Sequence, residues 1–381
     1  MTIYRASSVL LILAASLLFQ GCGKSPRAAD PPRLRVASVE PVAELDRLMD
    51  LQPVGWLGSD VTHSVPLSDD RIVWIYADTW LGEFVNGRRE VDGPFIHSSI
   101  GIQDLSSGYP GSMTFHWGPD RTSFIEKVTD IDATFYWPTM GFTWGGELYI
   151  LSYAIETGET FGFRLNGTTI TRVRNPMDHP AEWKMTTEDF GMGHNHMGIH
   201  TAVHVEEEWV YFMGFEDTGG RRAILARARG ADIQASRYGE ALEFWVNRHG
   251  EQRWDPKPVG LATLFRPGNT ESAIQYDSAW DLYYTLTYIP EESEIYLTAA
   301  HDLTGPWSEP IVVYDVPEHQ AVDFPIMSYA VRSHPFFSTQ PGELVISYAT
   351  NTSGTVDPLF TEAGASIYRP RFIRLQMEKG Q

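Results

Sequence analysis

Cysteine is all but missing from this chain: its 381 residues hold one, Cys22, so no intramolecular disulfide can brace the fold. Basic residues are scarce too. Lys and Arg number 29 against 49 Asp and Glu, for a formal net charge of -20. No basic run or stripe is present to follow a phosphate backbone, so nucleic acid is not an expected partner. No apolar stretch is long enough to span a bilayer, and no window sustains a 3.6-residue helical period except 42–51. What the chain does have is short apolar and aromatic runs punctuated by 33 Gly and 24 Pro, the pattern of a body made mostly of strands.

The first residues form a separate unit. Arg5 supplies positive charge, 9–19 is an apolar run too short for a mature transmembrane helix, and Gly21-Cys22 closes it. This reads as a signal peptide over 1–21. The string Leu18-Phe19-Gln20-Gly21-Cys22 resembles a lipobox, where bacterial lipoproteins are acylated and cut, although Phe19 and Gln20 depart from the usual Leu and small residue. Cys22 sits where the lipid would attach, and Gly23 after it implies outer-membrane sorting in a host with two membranes. The expectation is an exported chain anchored to the cell membrane through Cys22, with a Pro- and Ala-rich tether over 22–36 and one domain over 37–381.

Within that domain a turn followed by an aromatic and β-branched strand recurs five times: RIVWIYAD after Asp70, ELYILSYAI after Gly146, WVYFMGFE after Glu208, WDLYYTLTY after Ala279 and ELVISYAT after Gly342. The copies are spaced by roughly 60 to 75 residues, as radial repetition of four-stranded sheets would require. Each follows another short strand, at 61–67, 141–144, 201–205, 272–276 and 335–338. The pairs read as the inner hairpins of an all-β, five-bladed β-propeller. This spacing is too long for sandwich hairpins or solenoid coils.

In a propeller, the start of each innermost strand and the end of the next lie on one rim of the pore. The predicted strand starts carry Asp60, Trp137, His200, Glu271 and His334; the second-strand ends carry Asp78, Glu156, Asp217, Tyr288 and Asn351. Asp60 and Asp78 flank one hairpin, WLGSDVTHSVPLSDDRIVWIYADTW, and should face each other across it. Neighbouring carboxyls raise one pKa and leave the other ionised, which supplies an acid and a base for a glycosidic bond. The order of the two is open at this level, and Asp at strand ends also serves as a plain local cap. An aromatic content of 13% suits stacking on sugar faces; Trp137, Trp144, Trp56 and Trp80 are platform candidates, and equally candidates for packing between blades.

Residues 55–82, with GSD, SVPL and ADTWLG, resemble the opening blade of the family catalogued as domain of unknown function 4185, some members of which form glycoside hydrolase family 183, endo-D-arabinanases with a five-bladed propeller. FYWPTMGFTWGGELYI, NTESAIQYD with WDLYYT, LTGPWSEP and SHPFF followed by GELVISYATN extend the likeness over nearly the whole domain. The resemblance implies that Asp60 and Asp78 are the catalytic pair, that Glu271 orients substrate or tunes a pKa, and that the reaction inverts. This chain has GSD where GGD is commoner and ADT where GDT is commoner, which leaves the substrate open.

The expected activity is hydrolysis of a furanose-containing, arabinan-like polysaccharide by a monomer that needs no cofactor. Trp137, His200, His334 and Asn351 would contact substrate beside Glu271. His194, His196, His200 and His204 in GMGHNHMGIHTAVH have the look of metal ligands, but the flanking glycines argue for a loop and no nearby acid completes a set, so no metal is expected. A non-catalytic glycan-binding propeller of a surface uptake system is the competing reading.

Overall fold

The computed structural model describes residues 30–380 apart from 92, 94, 129–131, 158–161 and 193–195. Cys22, the 1–21 leader and His194 lie outside the described residues. Five antiparallel sheets follow one another along the chain, each starting with its innermost strand. Blade 1 is His63–Ser68, Arg71–Tyr76, Ser99–Asp104 and Ser112–His116. Blade 2 is Phe135–Trp144, Glu147–Thr157, Phe163–Val173 and Met185–Asp189. Blade 3 has five strands, Met197–Glu206, Trp209–Asp217, Arg221–Arg229, Glu243–Arg248 and Glu251–Asp255. Blade 4 is Ile274–Asp277, Leu282–Tyr288, Glu294–Ala300 and Ile311–Asp315. Blade 5 is Ile326–Ser333, Glu343–Thr352, Arg371–Lys379 and, as its outer strand, Leu34–Pro41 from the other end of the chain.

The core closes these sheets into a ring. Five apolar clusters each lie between consecutive blades: Val73, Ile75 and Tyr136 between blades 1 and 2; Phe142, Ile199 and Phe212 between 2 and 3. Met213, Ile274 and Leu303 fill the space between 3 and 4, Leu286, Leu297 and Ile346 that between 4 and 5, and Trp74, Val345 and Phe372 that between 5 and 1. Second strands are therefore covered on both faces, and Glu147–Thr157 is buried continuously from Leu148 to Ile155, as a strand between two neighbouring sheets must be. The domain is a five-bladed β-propeller. Its hairpins follow local turn chemistry; Gly145 and Gly146, both with positive φ (59° and 80°), make the two-residue turn opposite Trp144 and Glu147, which needs left-handed backbone at both positions.

Three boundaries differ from expectation. The tether ends sooner than residue 36, because Leu34–Pro41 pairs with Arg371–Lys379; that strand is mostly exposed and so carries little apolar signal of its own. The inner strand of blade 5 is Ile326–Ser333, not 335–338, where Pro335–Phe337 makes one 3₁₀ turn. The inner strands of blades 2 and 3 begin at Phe135 and Met197, several residues before their expected starts. The helical stretch at 42–51 is the short helix Ala43–Leu48. No described helix is long and apolar enough to cross a membrane.

Candidate active site at the pore mouth

Blade 1 reaches beyond its hairpin, and that extension builds the site. Val54–Ser59 leads into the inner strand, Thr79–Val85 leaves the second, and the two pair with each other, Ser59 opposite Thr79. Arg88–Glu90 adds a third strand to this rim sheet. Asp60 and Asp78 fall at its junction with the blade, their backbones joined by the Asp60 N–H to the Asp78 carbonyl at 3.4 Å. The Ser59 hydroxyl donates to the same carbonyl at 2.7 Å and accepts from Thr79 Oγ1 at 3.0 Å, so the serine of GSD is a cross-strand tie.

The junction is tightly constrained. A side chain on Gly58 (φ 117°) would put its Cβ 2.1 Å from the Tyr368 carbonyl oxygen, so only glycine fits there. The Arg89 guanidinium is buried and donates to the carbonyls of Leu57, Leu359, Gly364 and Ile367, clamping the rim sheet to the loop before the last strand. Val61 and Thr62, directly after Asp60, both hold positive φ (68° and 45°). Left-handed backbone at two β-branched residues costs on the order of 1–3 kcal/mol each and concentrates at functional sites.

Asp60 and Asp78 are 9% and 8% exposed, and both accept hydrogen bonds from side chains of neighbouring segments. Asp60 Oδ2 accepts from the Tyr329 hydroxyl at 2.9 Å, while its buried Oδ1 has no partner among the described residues. Asp78 Oδ1 accepts from His97 Nδ1 at 2.7 Å and from the Trp137 indole N–H at 2.5 Å. Burial first, then the charges of Asp78 and Glu271, push the Asp60 pKa well above the ordinary carboxyl value against the Tyr329 bond. Burial also raises Asp78, but there His97 and Trp137 oppose it by stabilising the carboxylate. The outcome is two neighbouring acids with different affinities for a proton. Glu271 completes the group; its Oε2 accepts from Thr270 Oγ1 at 2.7 Å and from the Tyr288 hydroxyl at 2.8 Å.

Of the residues expected at the rim, the structure brings together Asp60, Asp78, Glu271, Trp137, Tyr288 and Asn351, whose amide reaches the Tyr329 oxygen at 3.4 Å. It does not bring His200 or His334. His200 is fully buried between Phe190 and Phe212 in the core of blades 2 and 3, and burial lowers its pKa to about 3. His334 follows the end of the blade 5 inner strand, fully buried, with Nδ1 on Ser64 Oγ and Nε2 on Ser347 Oγ, both at 2.8 Å. Both corrections share one cause: the true strands start upstream, so these positions are carried away from the mouth. His204 packs on Tyr283, apart from His200. Trp56 is buried in a stack on Phe115 and Trp144 packs against the core of blades 2 and 3, so both serve packing; Trp80 lies at the rim against Phe95 and Phe360. Sequence reasoning passed over His97, Tyr329 and Arg332. His97 lies in the connection to the third strand of blade 1, and the other two lie in a strand whose period is interrupted.

Two hollows, about 420 Å³ beside Asp70 and His179 and about 340 Å³ beside Asp277 and Pro341, lie at hairpin turns on the opposite rim and contain none of these acids.

Among solved structures the chain is similar to a provisionally named hydrolase from Bacteroides ovatus ATCC 8483, at 18% identity over 88% of this chain and 90% of that one, with a TM-score of 0.73. It is also similar to the catalytic domain of the GH62 α-L-arabinofuranosidase of Coprinopsis cinerea (10% identity, 91% and 97% covered, TM-score 0.49) and to the GH43_1 enzyme of Xanthomonas citri complexed with xylotriose (12%, 88% and 92%, TM-score 0.47). At 18% identity the likeness to the first of these bears on the fold and not on the reaction. No curated protein matches the sequence. The family model that matches, over residues 44–377, is a different one from the domain of unknown function 4185 that the motifs resemble: the chain belongs to the family Domain of unknown function (DUF5005).

Proposed function

We propose that this protein is a glycoside hydrolase acting on a furanose-containing, arabinan-like polysaccharide, with Asp60 as general acid and Asp78 as general base. The observation that carries the reading is the unequal environment of two adjoining buried carboxyls. Burial and two like charges oppose ionisation of Asp60; the carboxylate of Asp78 is favoured by the His97 and Trp137 N–H groups, both on Oδ1. In the proposed step Asp60 gives its proton to the glycosidic oxygen as the bond to the anomeric carbon breaks. Asp78 takes a proton from the water that attacks that carbon, and the product is inverted. The furanose and the inversion rest on the motif resemblance to glycoside hydrolase family 183. Glu271, Trp137 and Asn351 are read as substrate-side groups, with the Trp137 ring face as a sugar platform.

The test is incubation of the domain from residue 30 onward with a panel of furanose-rich bacterial polysaccharides, followed by product chromatography and NMR of the first anomer released. New oligosaccharides of inverted configuration support the reading. Tight glycan binding without any new reducing ends would replace it with a non-catalytic uptake propeller. From the lipobox-like string ending at Cys22 we further propose an exported monomer on a lipid anchor, at the outer membrane in a two-membrane host. Fatty-acid labelling of the full chain that persists in Cys22→Ser would refute the anchor.

A further inference from the structure

The inner strand of blade 5 is irregular where it passes the acids. Tyr329 pairs with Ala349 and Arg332 with Ser347, so Ala330 and Val331 together oppose a single residue. Ala330 has φ 51°, a left-handed conformation that a non-glycine residue adopts at a cost. In a regular strand residues three apart point to opposite faces. The bulge removes that alternation, and both Tyr329 and Arg332 reach the pore. The Tyr329 hydroxyl donates to Asp60 at 2.9 Å. Arg332, fully buried, sends Nη1 across the pore to the carbonyls of Thr201 at 2.6 Å and Ser272 at 2.5 Å, the second of these next to Glu271. Its Nε and Nη2 have no partner among the described residues, an unusual state for a buried guanidinium. The Ala330 backbone also faces the Tyr288 hydroxyl that holds Glu271.

We infer that the Tyr329–Arg332 bulge is a positioning element of the acid site: it aims one hydroxyl at Asp60 and brings one permanent positive charge within range of Asp60 and Glu271. Its purpose in catalysis rests on the hydrolase reading, but its physical content does not. The groups that act on Asp60 are Asp78 from blade 1, Glu271 from blade 4, Tyr329 and Arg332 from blade 5 and Tyr368 from the following loop. Of these, the Tyr329 hydroxyl and the Arg332 cation favour the carboxylate, and the acids oppose it. Removing either helper therefore strengthens proton binding at Asp60.

The test uses the protein labelled at aspartate ¹³Cγ, with Asp60→Asn to assign its signal, titrated by NMR without substrate. Tyr329→Phe should move the Asp60 titration upward by about one unit, Arg332→Met should move it the same way by a smaller amount, and Arg332→Lys should restore most of the second shift. If the signal stays in place in Tyr329→Phe, the inference fails, whatever the folding of the arginine variants. A downward move in any folded variant overturns it too. Wherever wild-type protein cleaves glycan, Tyr329→Phe should lower kcat more than it changes KM and carry the basic limb of the rate profile upward; equal loss at every pH would show a merely structural residue. Failure of wild type to cleave any glycan defeats the hydrolase reading alone, because the titration is read without turnover.

Discussion

Three acids occupy the same place in consecutive blades, at the end of the second strand: Asp78 in blade 1, Glu156 in blade 2 and Asp217 in blade 3. Each meets a basic side chain from the start of the third strand or just before it. For Glu156 the partner is Arg164 and for Asp217 it is Arg221, with acid side chains 41% and 40% exposed. For Asp78 the partner is His97, and the acid's side chain is 12% exposed. An arginine carries a fixed charge and locks its carboxylate into an ion pair. A histidine stacked flat on Phe135 at 3.6 Å donates one N–H to the acid without the fixed charge of a guanidinium. Propeller symmetry thus supplies one acid-base pairing several times, and blade 1 differs by partner type and burial.

The largest expected effect separates the three acids. Asp78→Asn should lower glycan cleavage by roughly 10²- to 10⁴-fold, the range for loss of a general acid or base, while Glu156→Gln and Asp217→Asn retain wild-type turnover. Asp60→Asn belongs with Asp78→Asn. Initial rates on one polysaccharide decide this, and full activity in either aspartate variant would end the assignment.

A second way to break the comparison is to make blade 1 resemble its neighbours. His97→Arg gives Asp78 a permanent partner, which lowers its pKa and, on the proposed mechanism, weakens it as a base. The acid limb of the kcat/KM profile should then move to lower pH, with a loss of at most about tenfold at neutral pH for a one-unit shift. Trp137→Phe acts with the opposite sign. It removes an N–H that stabilises the carboxylate, so the Asp78 pKa rises and the acid limb moves up.

How much of this was legible in the sequence follows from which signals are local. The blades could be read because second strands such as Glu147–Thr157 are long, aromatic and bounded by glycine turns, and Asp60 and Asp78 could be placed because one hairpin fixes both. Blade 5 misled because the Ala330 bulge breaks the period in IMSYAVRS, while Pro335-Phe336-Phe337 next to a true strand has a strand's composition. Mislocating that strand put His334 at the mouth and hid Tyr329 and Arg332, which lie within it. His97 escaped because it lies in a strand connection with no periodic signal, although Asp78 is only 19 residues away, and Arg89 because its partners come from a distant segment. The Arg89 acceptors at Leu359, Gly364 and Ile367 are some 270 residues further along the chain, a pairing that periodicity does not encode.

The difference in proton affinity within the acid pair also has a stability signature that needs no substrate. The folded-state pKa of Asp60 lies above its unfolded value, so between the two the folded chain binds a proton that the unfolded chain does not. Stability from this group is therefore full below the unfolded value near 3.9 and is lost as pH rises through the folded value. Asp60→Asn removes that loss. Its Tm should exceed wild type at pH 7 by an amount on the order of a few degrees, with the gain vanishing near pH 4; a gain of equal size at both pH values would contradict the raised pKa.

The smallest effect belongs to the arginine-paired acids and sharpens the contrast from the other side. The Glu156 and Asp217 side chains are 41% and 40% exposed, so the attraction is screened and ordering the long side chains offsets much of it. Glu156→Gln and Asp217→Asn should each change stability by less than about 1 kcal/mol, and less again in high salt, as read from denaturant midpoints at two ionic strengths. These acids would then be dispensable for both folding and turnover. A loss several times larger in either variant would mean that the ion pairs hold the mouth in shape, and the distinction between blade 1 and its neighbours would be one of degree.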